Sequence, residues 1–475
     1  MLLNGEWVDR PNTIEVRNPQ DNSLIDTVPK ATAADMETAI TAAEAWFTQG
    51  RRLPVYERMA ILEKTAVILT NKHEEYARII AQEGIKTIRE ARKEVTRCIE
   101  TIRISAEEAR RLNGETITFD QMPGSENRRG FYSREPIGII GAITPFNDPL
   151  NLVAHKVGPA LAGGNAIIVK PDSKTPLSAL WLAQAIHEAG VPAGMLQVIP
   201  GPGREVGDVL VTDPRVRMIS FTGGLKTGKA IMSKVGLKKV GMELGSNAPV
   251  IVLSDAELDT AVSANISGAF WAAGQNCLHV QRLLVHEEIY DEFAARFIAE
   301  TEAYKVGDKL DEATDMGPLI NETEAKRVER LVNEALEMGA NLLTGGERSG
   351  TFYAPTVLEN LPDSCTLAQE EIYGPVTILY RIATLDEAIA RANDVEYGLQ
   401  AGIFTADLEK AFFAAAHLDC GGVMINDSTD YRIDAMPFGG VKGSGLGREG
   451  ICFALQEMTE PKVVCFNLGK MSVPN

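Results

Sequence analysis

Apolar residues recur at intervals of four and three from Ala34 to about Leu112, as in VYERMAILEKTAVILTNKHEEYARIIAQE, where Leu62, Ala66 and Leu69 form one stripe. Dense charge on the remaining positions completes the pattern of a helical block. In the next stretch, GETITFDQMPGSENRRGFYSREP, Thr116, Thr118 and Phe131 to Ser133 alternate around a Pro/Gly loop and predict a two-stranded excursion. The pattern then changes. Short apolar runs (IGIIGAIT, NAIIVKP, LQVIPG, VRMISFTG, KKVGMELG) alternate with helical segments such as LSALWLAQAIHEAG and REVGDVLV, as in a parallel sheet wound with helices. A second α/β set begins near APVIVLSDAELDTAVSANISGAFWAAG and runs through RLLVHEEIYDEFAARFIAE to GIFTADLEKAFFAAAHLDCGGVMIN. The fold class is therefore α/β, and ligands are expected at the C-terminal ends of the strands.

A chain of 475 residues exceeds one ordinary core, so two or three domains are expected. The net charge of −18 argues against a nucleic-acid or anionic-membrane surface. The start, MLLNGEWVDRPNTIEV, carries no basic stretch followed by a long apolar segment, and no later run approaches the ~18 apolar residues of a membrane span. A cytoplasmic location is the expectation. Cysteines at 98, 277, 365, 420, 452 and 465 are too scattered for a disulfide framework, so reduced thiols are expected. The six histidines form no H-E-x-x-H or similar cluster, and no metal site is expected.

Candidate chemistry centres on WAAGQNCLHVQR, residues 271–282. A cysteine alone reads as a small buried hydrophobe. GMELGSN, however, sets Glu243 at the end of one strand, and TPFNDPLN sets Asn147 at the end of another. With Cys277 these supply a nucleophile, a base and an oxyanion donor. Two glycine-rich stretches sit after strands. GPGREVG has the wrong spacing for a dinucleotide fingerprint, and GGLKTGKA has Ala230 where a phosphate loop needs Ser or Thr. A phosphate at the helix N-terminus following the second fits either reading. His279, two residues beyond Cys277, keeps open a Cys/His acyl hydrolase that needs no coenzyme.

The ordered set GQNC, MELGSN, TPFNDPL, VKPDSKTPLSAL, SFTGGLKTG, EEIYGPV and PFGGVKGSG, spanning almost the whole chain, resembles the NAD(P)-dependent aldehyde dehydrogenase superfamily. The resemblance implies a Rossmann-like coenzyme domain (1–115 and 135–245), an α/β catalytic domain (246–450) and a small β bridging domain for oligomerisation (116–134 and 458–475). It implies a homodimer or homotetramer that oxidises a small-molecule aldehyde. Cys277 matches the nucleophile, Asn147 the oxyanion donor beside the Cys277 N–H, and Glu243 the base that releases the acid. Members that pass the acyl group to coenzyme A commonly lack that glutamate, so hydrolysis is favoured over the CoA-acylating alternative.

For the coenzyme, Lys170 matches the residue holding the adenosine ribose and Glu371 the one holding the nicotinamide ribose. Gly223 and Gly224 match the turn facing the pyrophosphate. Thr144, Pro145, Phe146, Lys156 and Phe438 match further positions near the coenzyme and active site. NAD-preferring relatives often carry glutamate three residues after the lysine of VKP. Here Ser173 stands there, followed by Lys174, so NADP is expected to be accepted along with NAD. Ser246 replaces the usual second glycine after ELG, and Phe146 replaces the usual tryptophan. For substrate, Arg103, His155, His279 and Arg432 are candidate contacts, and basic residues there imply a short polar, anionic aldehyde.

Overall fold

The structure is a computed structural model that describes residues 1–49 and 53–469. The first sheet runs in the order Glu6–Trp7, Leu2–Leu3, Leu196–Val198, Ala166–Lys170, Ile139–Ile143, Val216–Thr222, Lys239–Glu243, Gly445–Leu446. Its five central strands are parallel. The strand Ala166–Lys170 shows why: AIIVK is buried throughout, with Ile167 and Val169 in one core and Ala166 and Ile168 in the other. A strand apolar on both faces needs helices on both sides. The helices Val55–Asn71, His73–Glu83, Ile88–Arg111 and Asn151–Gly163 cover one face, and Ala33–Thr48 covers the other.

Chain order reverses at Ile139–Ile143. The chain moves from there to Ala166–Lys170 and Leu196–Val198 on one side, then returns to place Val216–Thr222 on the other. The C-terminal ends of Ile139–Ile143 and Val216–Thr222 therefore diverge and leave a crevice between their following loops.

The second sheet has the order Asn341–Thr344, Thr356–Glu359, Val376–Ile382, Val280–His286, Ala248–Val252, Gln400–Phe404, Gly422–Ile425, parallel except at its first pair. Its core is separate from the two of the first sheet. A third sheet pairs Thr459–Asn467 with Arg128–Pro136 over nine residues, and the latter with Glu115–Thr116. The two-stranded excursion thus gains a third strand from the chain's end. The expected bridging segment runs to 475, and its last six residues lie outside those described. Gly445–Leu446 falls within the expected 246–450 segment yet pairs with Lys239–Glu243 in the first sheet. Among the described residues no helix is long and apolar enough to cross a membrane.

Candidate active site

A cavity of about 800 Å³ fills the crevice at the reversal point. Thr144, Pro145, Phe146 and Asn147 line it after one strand, Thr222, Gly223 and Gly224 after the next, and Glu243 ends the third. Cys277, Glu371 and Tyr373 close it from the second sheet, where each precedes a strand. Cys277, Glu243 and Asn147, 130 residues apart at the extremes, thus share one space.

The turn before Cys277 is unusual. Ala272 (φ 52°), Ala273 (φ 54°) and Gly274 (φ 66°) are three successive left-handed residues. Non-glycine residues there cost about 1–3 kcal/mol each and persist only when the surroundings fix them. Those surroundings are specific. The Ala272 N–H donates to Glu90 Oε1 (2.8 Å), Gln275 Nε2 donates to the Pro318 carbonyl (3.2 Å), and Gln275 Oε1 accepts from Ile320 N–H (2.9 Å). A side chain at Gly274 would collide with the Gly374 carbonyl, so only glycine fits. Asn276 then folds back, donating to the Trp271 carbonyl (3.2 Å) and accepting from Leu278 N–H (2.9 Å).

Among the described residues, four buried polar atoms of side chains lining this cavity have no protein hydrogen-bond partner: Thr144 Oγ1, Asn147 Oδ1, Thr222 Oγ1 and Glu243 Oε2. Polar atoms gathered on one cavity suit a polar ligand. Lys170 lines the same cavity, and among the described residues its ammonium has no ion pair; burial lowers its pKa. Glu371 accepts from Ser246 N–H (2.8 Å), and burial pushes it up to about 7. A side chain at Gly245 would meet the Glu371 carboxylate, which accounts for that glycine.

Burial favours the protonated forms of the reacting groups. Burial pushes the Cys277 thiol up to about 12, with Glu371, Glu243 and Glu449 adding to the rise and Arg432 opposing it. Burial also lifts Glu243 well above the carboxylate range, and Glu449 reinforces this. Glu449 itself is held low, to about 2, by Lys156 and Arg432. Lys156 Nζ donates to Glu449 Oε1 (3.0 Å) and Ser220 Oγ (3.1 Å), so Lys156 belongs to a buried ion pair.

The four basic substrate candidates fare differently. Arg103 is half exposed and pairs with Glu100 one turn earlier (2.5 Å), so it does not reach the cavity. His155 is buried with Nε2 on Asp434 Oδ1 (2.8 Å), and burial lowers its pKa. A neutral ring so held offers no positive charge to an anion. His279 is buried, hydrogen-bonds the Val376 carbonyl (2.9 Å) and is pushed down to about 4. Cys277 makes no side-chain hydrogen bond among the described residues and His279 is taken up by Val376, so the alternative of a Cys/His acyl hydrolase is not favoured. Of the four, Arg432 alone acts electrostatically on the thiol, lowering its pKa, though it does not line the large cavity. Its guanidinium donates to Glu449 (3.1 Å), its Nε has no partner, and it covers the Phe438 ring at 3.7 Å. Phe438 is therefore turned onto Arg432 and does not line the large cavity. Ser173 does not line it either; its hydroxyl donates to the Gly201 carbonyl (3.4 Å), while its neighbours Asp172 and Lys174 do.

Sequence reading passed over Glu449, Arg97, Arg204 and Tyr373. Arg97, on the Ile88–Arg111 helix, reaches Asp434 (2.7 Å) where Arg103 does not. Arg204 and Tyr373 line the cavity. The signal for Arg204 was its place in GPGREVG, directly after a strand.

Residues 7–464 match the aldehyde dehydrogenase family, and the chain belongs to it. It is 50% identical over 455 residues to aspartate-semialdehyde dehydrogenase 1 of Pseudomonas canavaninivorans, covering 96% of this chain and 97% of that one. Its fold matches aldehyde dehydrogenase 21 from Physcomitrella patens, solved with the reaction product succinate, at TM-score 0.96 and 42% identity over 99% of this chain and 98% of that one. It also matches the glyceraldehyde-3-phosphate dehydrogenase of Methanocaldococcus jannaschii complexed with NADP, at TM-score 0.93 and 42% identity over 97% and 100%.

Proposed function

We propose that this protein is an NAD(P)-dependent aldehyde dehydrogenase that oxidises a short anionic aldehyde to its acid through a covalent intermediate on Cys277. The observation that carries the reading is the convergence of Cys277, Glu243 and Asn147 on one cavity with unpartnered polar atoms. The first sheet's crevice fits a dinucleotide. Lys170 and Glu371 would hold its two riboses, and Gly223 and Gly224 with the helix Leu225–Met232 would face its pyrophosphate. When bound, the nicotinamide supplies the hydride acceptor and a positive charge beside the thiol.

Cys277 adds to the aldehyde carbonyl. Its own N–H and the Asn147 side-chain N–H stabilise the oxyanion, Asn147 lining the same cavity as Cys277. Loss of hydride leaves a thioester on Cys277. Glu243 takes a proton from the attacking water, and the acid leaves. The bulk of the second sheet would serve as the catalytic body, and the three-stranded sheet as the surface joining copies. Arg432, buried and opposing the rise of the thiol's pKa, supports an anionic substrate, as do the relatives named for a semialdehyde and solved with a dicarboxylate.

The test is formation of reduced coenzyme with a panel of aldehydes: succinic semialdehyde, aspartate semialdehyde, glyceraldehyde 3-phosphate, sulfolactaldehyde, lactaldehyde, benzaldehyde and hexanal. The reading expects dependence on both aldehyde and coenzyme, and the highest kcat/KM among the anionic members. Turnover without coenzyme would overturn it, and preference for hexanal or benzaldehyde would overturn the substrate class.

A further inference from the structure

We infer that Lys86 is a positioning residue that locks the turn bearing Asn147 to the turn bearing Cys277, an inference that rests on the proposed roles of those two residues. Lys86 lies between two helices, His73–Glu83 and Ile88–Arg111, and its side chain is 1% exposed. An ammonium has three hydrogens to place. One goes to Glu94 Oε2 (2.8 Å), another to Asp148 Oδ1, and the ammonium stands 4.5 Å from the centroid of the Trp271 ring. A buried cation over an aromatic face is attracted to it.

Those three partners lead to the two sides of the cavity. Asp148 follows Asn147 directly. Glu94 carries the hold further along the same turn, since its other oxygen accepts from the Leu150 (2.8 Å) and Asn151 (3.0 Å) N–H groups. Trp271 opens the left-handed turn that delivers Cys277, and its carbonyl accepts from Asn276. One turn before Glu94, Glu90 fixes the Ala272 N–H and caps its own helix at Thr87. A short charged run, Lys86 to Glu94, thus grips both turns from behind, and Lys86 is the member that touches both.

The consequence lies in the addition step. Oxyanion stabilisation needs the Asn147 amide and the Cys277 N–H to converge on one oxygen, and a displacement of about 1 Å can lower a rate ~100-fold. Coenzyme binding uses other residues and should be indifferent. Lys86→Met keeps the length of the stem and removes the charge. Glu94 and Asp148 are then left as two buried carboxylates facing one another. The variant Lys86→Met/Glu94→Gln/Asp148→Asn removes that repulsion with nearly unchanged volumes.

The experiment measures, for both variants, the single-turnover burst of reduced coenzyme, the coenzyme Kd by fluorescence quenching, and alkylation of Cys277 by iodoacetamide. The expected result is a burst slowed ~10- to 100-fold with the Kd and alkylation rate within about twofold of wild type. Adding Asn147→Ala should slow either variant little further, because both substitutions remove the same donor. If Lys86→Met fails to fold by circular dichroism, the neutral triple variant carries the same test. A wild-type burst in the folded variant, or multiplicative losses with Asn147→Ala, overturns the inference while leaving the functional reading intact. A wild-type protein with no burst, or an Asn147→Ala variant at full rate, overturns that reading and this inference with it.

Discussion

Arg432 and Glu449 form a hydrogen-bonded pair at 3.1 Å with side chains 6% and 8% exposed. Glu449 shares its other oxygen with Lys156, so Arg432 is not fully matched, and its Nε faces no acceptor. A partly unmatched cation whose charge is felt at the reacting thiol should attract an anionic substrate. Arg432→Met is expected to lower kcat/KM for succinic semialdehyde about tenfold or more relative to a neutral aldehyde such as lactaldehyde, the effect of losing one charge-assisted hydrogen bond. Equal losses for both substrates would assign Arg432 a structural part.

The pH dependence of the chemistry follows from burial. Burial pushes the thiol up to about 12, so at neutral pH it holds a proton that its role requires it to release, and burial shifts Glu243 in the same direction. The basic forms grow as pH rises, so kcat and kcat/KM measured from about pH 6 to pH 9 should both climb. Hydrolysis of the thioester shows in kcat, and in Glu243→Gln its part of the climb in kcat should vanish. A profile falling over this range would contradict the assignment.

Coenzyme choice has its own signature. Lys174 turns into the cavity, its ammonium 5.1 Å from the Phe146 ring centroid, and Arg204 lines the same space. A 2′-phosphate bound in this cavity would be attracted to these cations. NADP is expected to be used at least as well as NAD, and Arg204→Ala with Lys174→Ala should raise KM for NADP about tenfold or more while sparing NAD. A hundredfold preference of wild type for NAD would refute this.

Glu83 offers a stability test away from the chemistry. Its carboxyl accepts from the Leu177 (2.8 Å) and Ser178 (2.7 Å) N–H groups and caps the helix Pro176–Ala189, and burial pushes it up from 4.5 to about 7. The folded state therefore keeps a proton that the unfolded chain releases between those values. Stability from this group is present below about pH 4.5 and declines as pH rises to about 7, by roughly 3 kcal/mol. Glu371 acts with the same sign in the same window. His279, pushed down to about 4, acts with the opposite sign over much of that window, so the test is the difference between two proteins: relative to wild type, Glu83→Gln should lose the part of the pH dependence that lowers Tm between about 4.5 and 7. An unchanged slope would mean Glu83 is ionised in the folded protein.

The fold was readable because strands such as Ala166–Lys170 are continuous apolar runs, and strand spacing resumes at Ile139–Ile143, the first of the parallel strands, whereas the two-residue strands Leu2–Leu3 and Glu6–Trp7 give no such signal. Cys277, Glu243 and Asn147 were readable because each sits at a strand boundary in a distinctive local motif. Arg103 was misplaced for a simple reason. Helical spacing gives a face but not its surroundings, and Glu100 takes up that arginine on the outside. His279 was ambiguous because spacing from Cys277 says nothing of Val376, 97 residues away. Lys86, Arg97 and Glu449 owe their surroundings to partners 62, 337 and 293 residues distant, and no local pattern encodes such pairings.

The central claim is a covalent acyl intermediate on Cys277 that Glu243 resolves, and intact-protein mass spectrometry of Glu243→Gln tests it most directly. Mixed with succinic semialdehyde and NADP, the variant should form about one equivalent of reduced coenzyme and gain the mass of one acyl group, located by digestion to the peptide containing Trp271–Arg282. Cys277→Ala should gain none. Reduced coenzyme formed by Glu243→Gln without any adduct, or continued turnover in Cys277→Ala, would contradict the account.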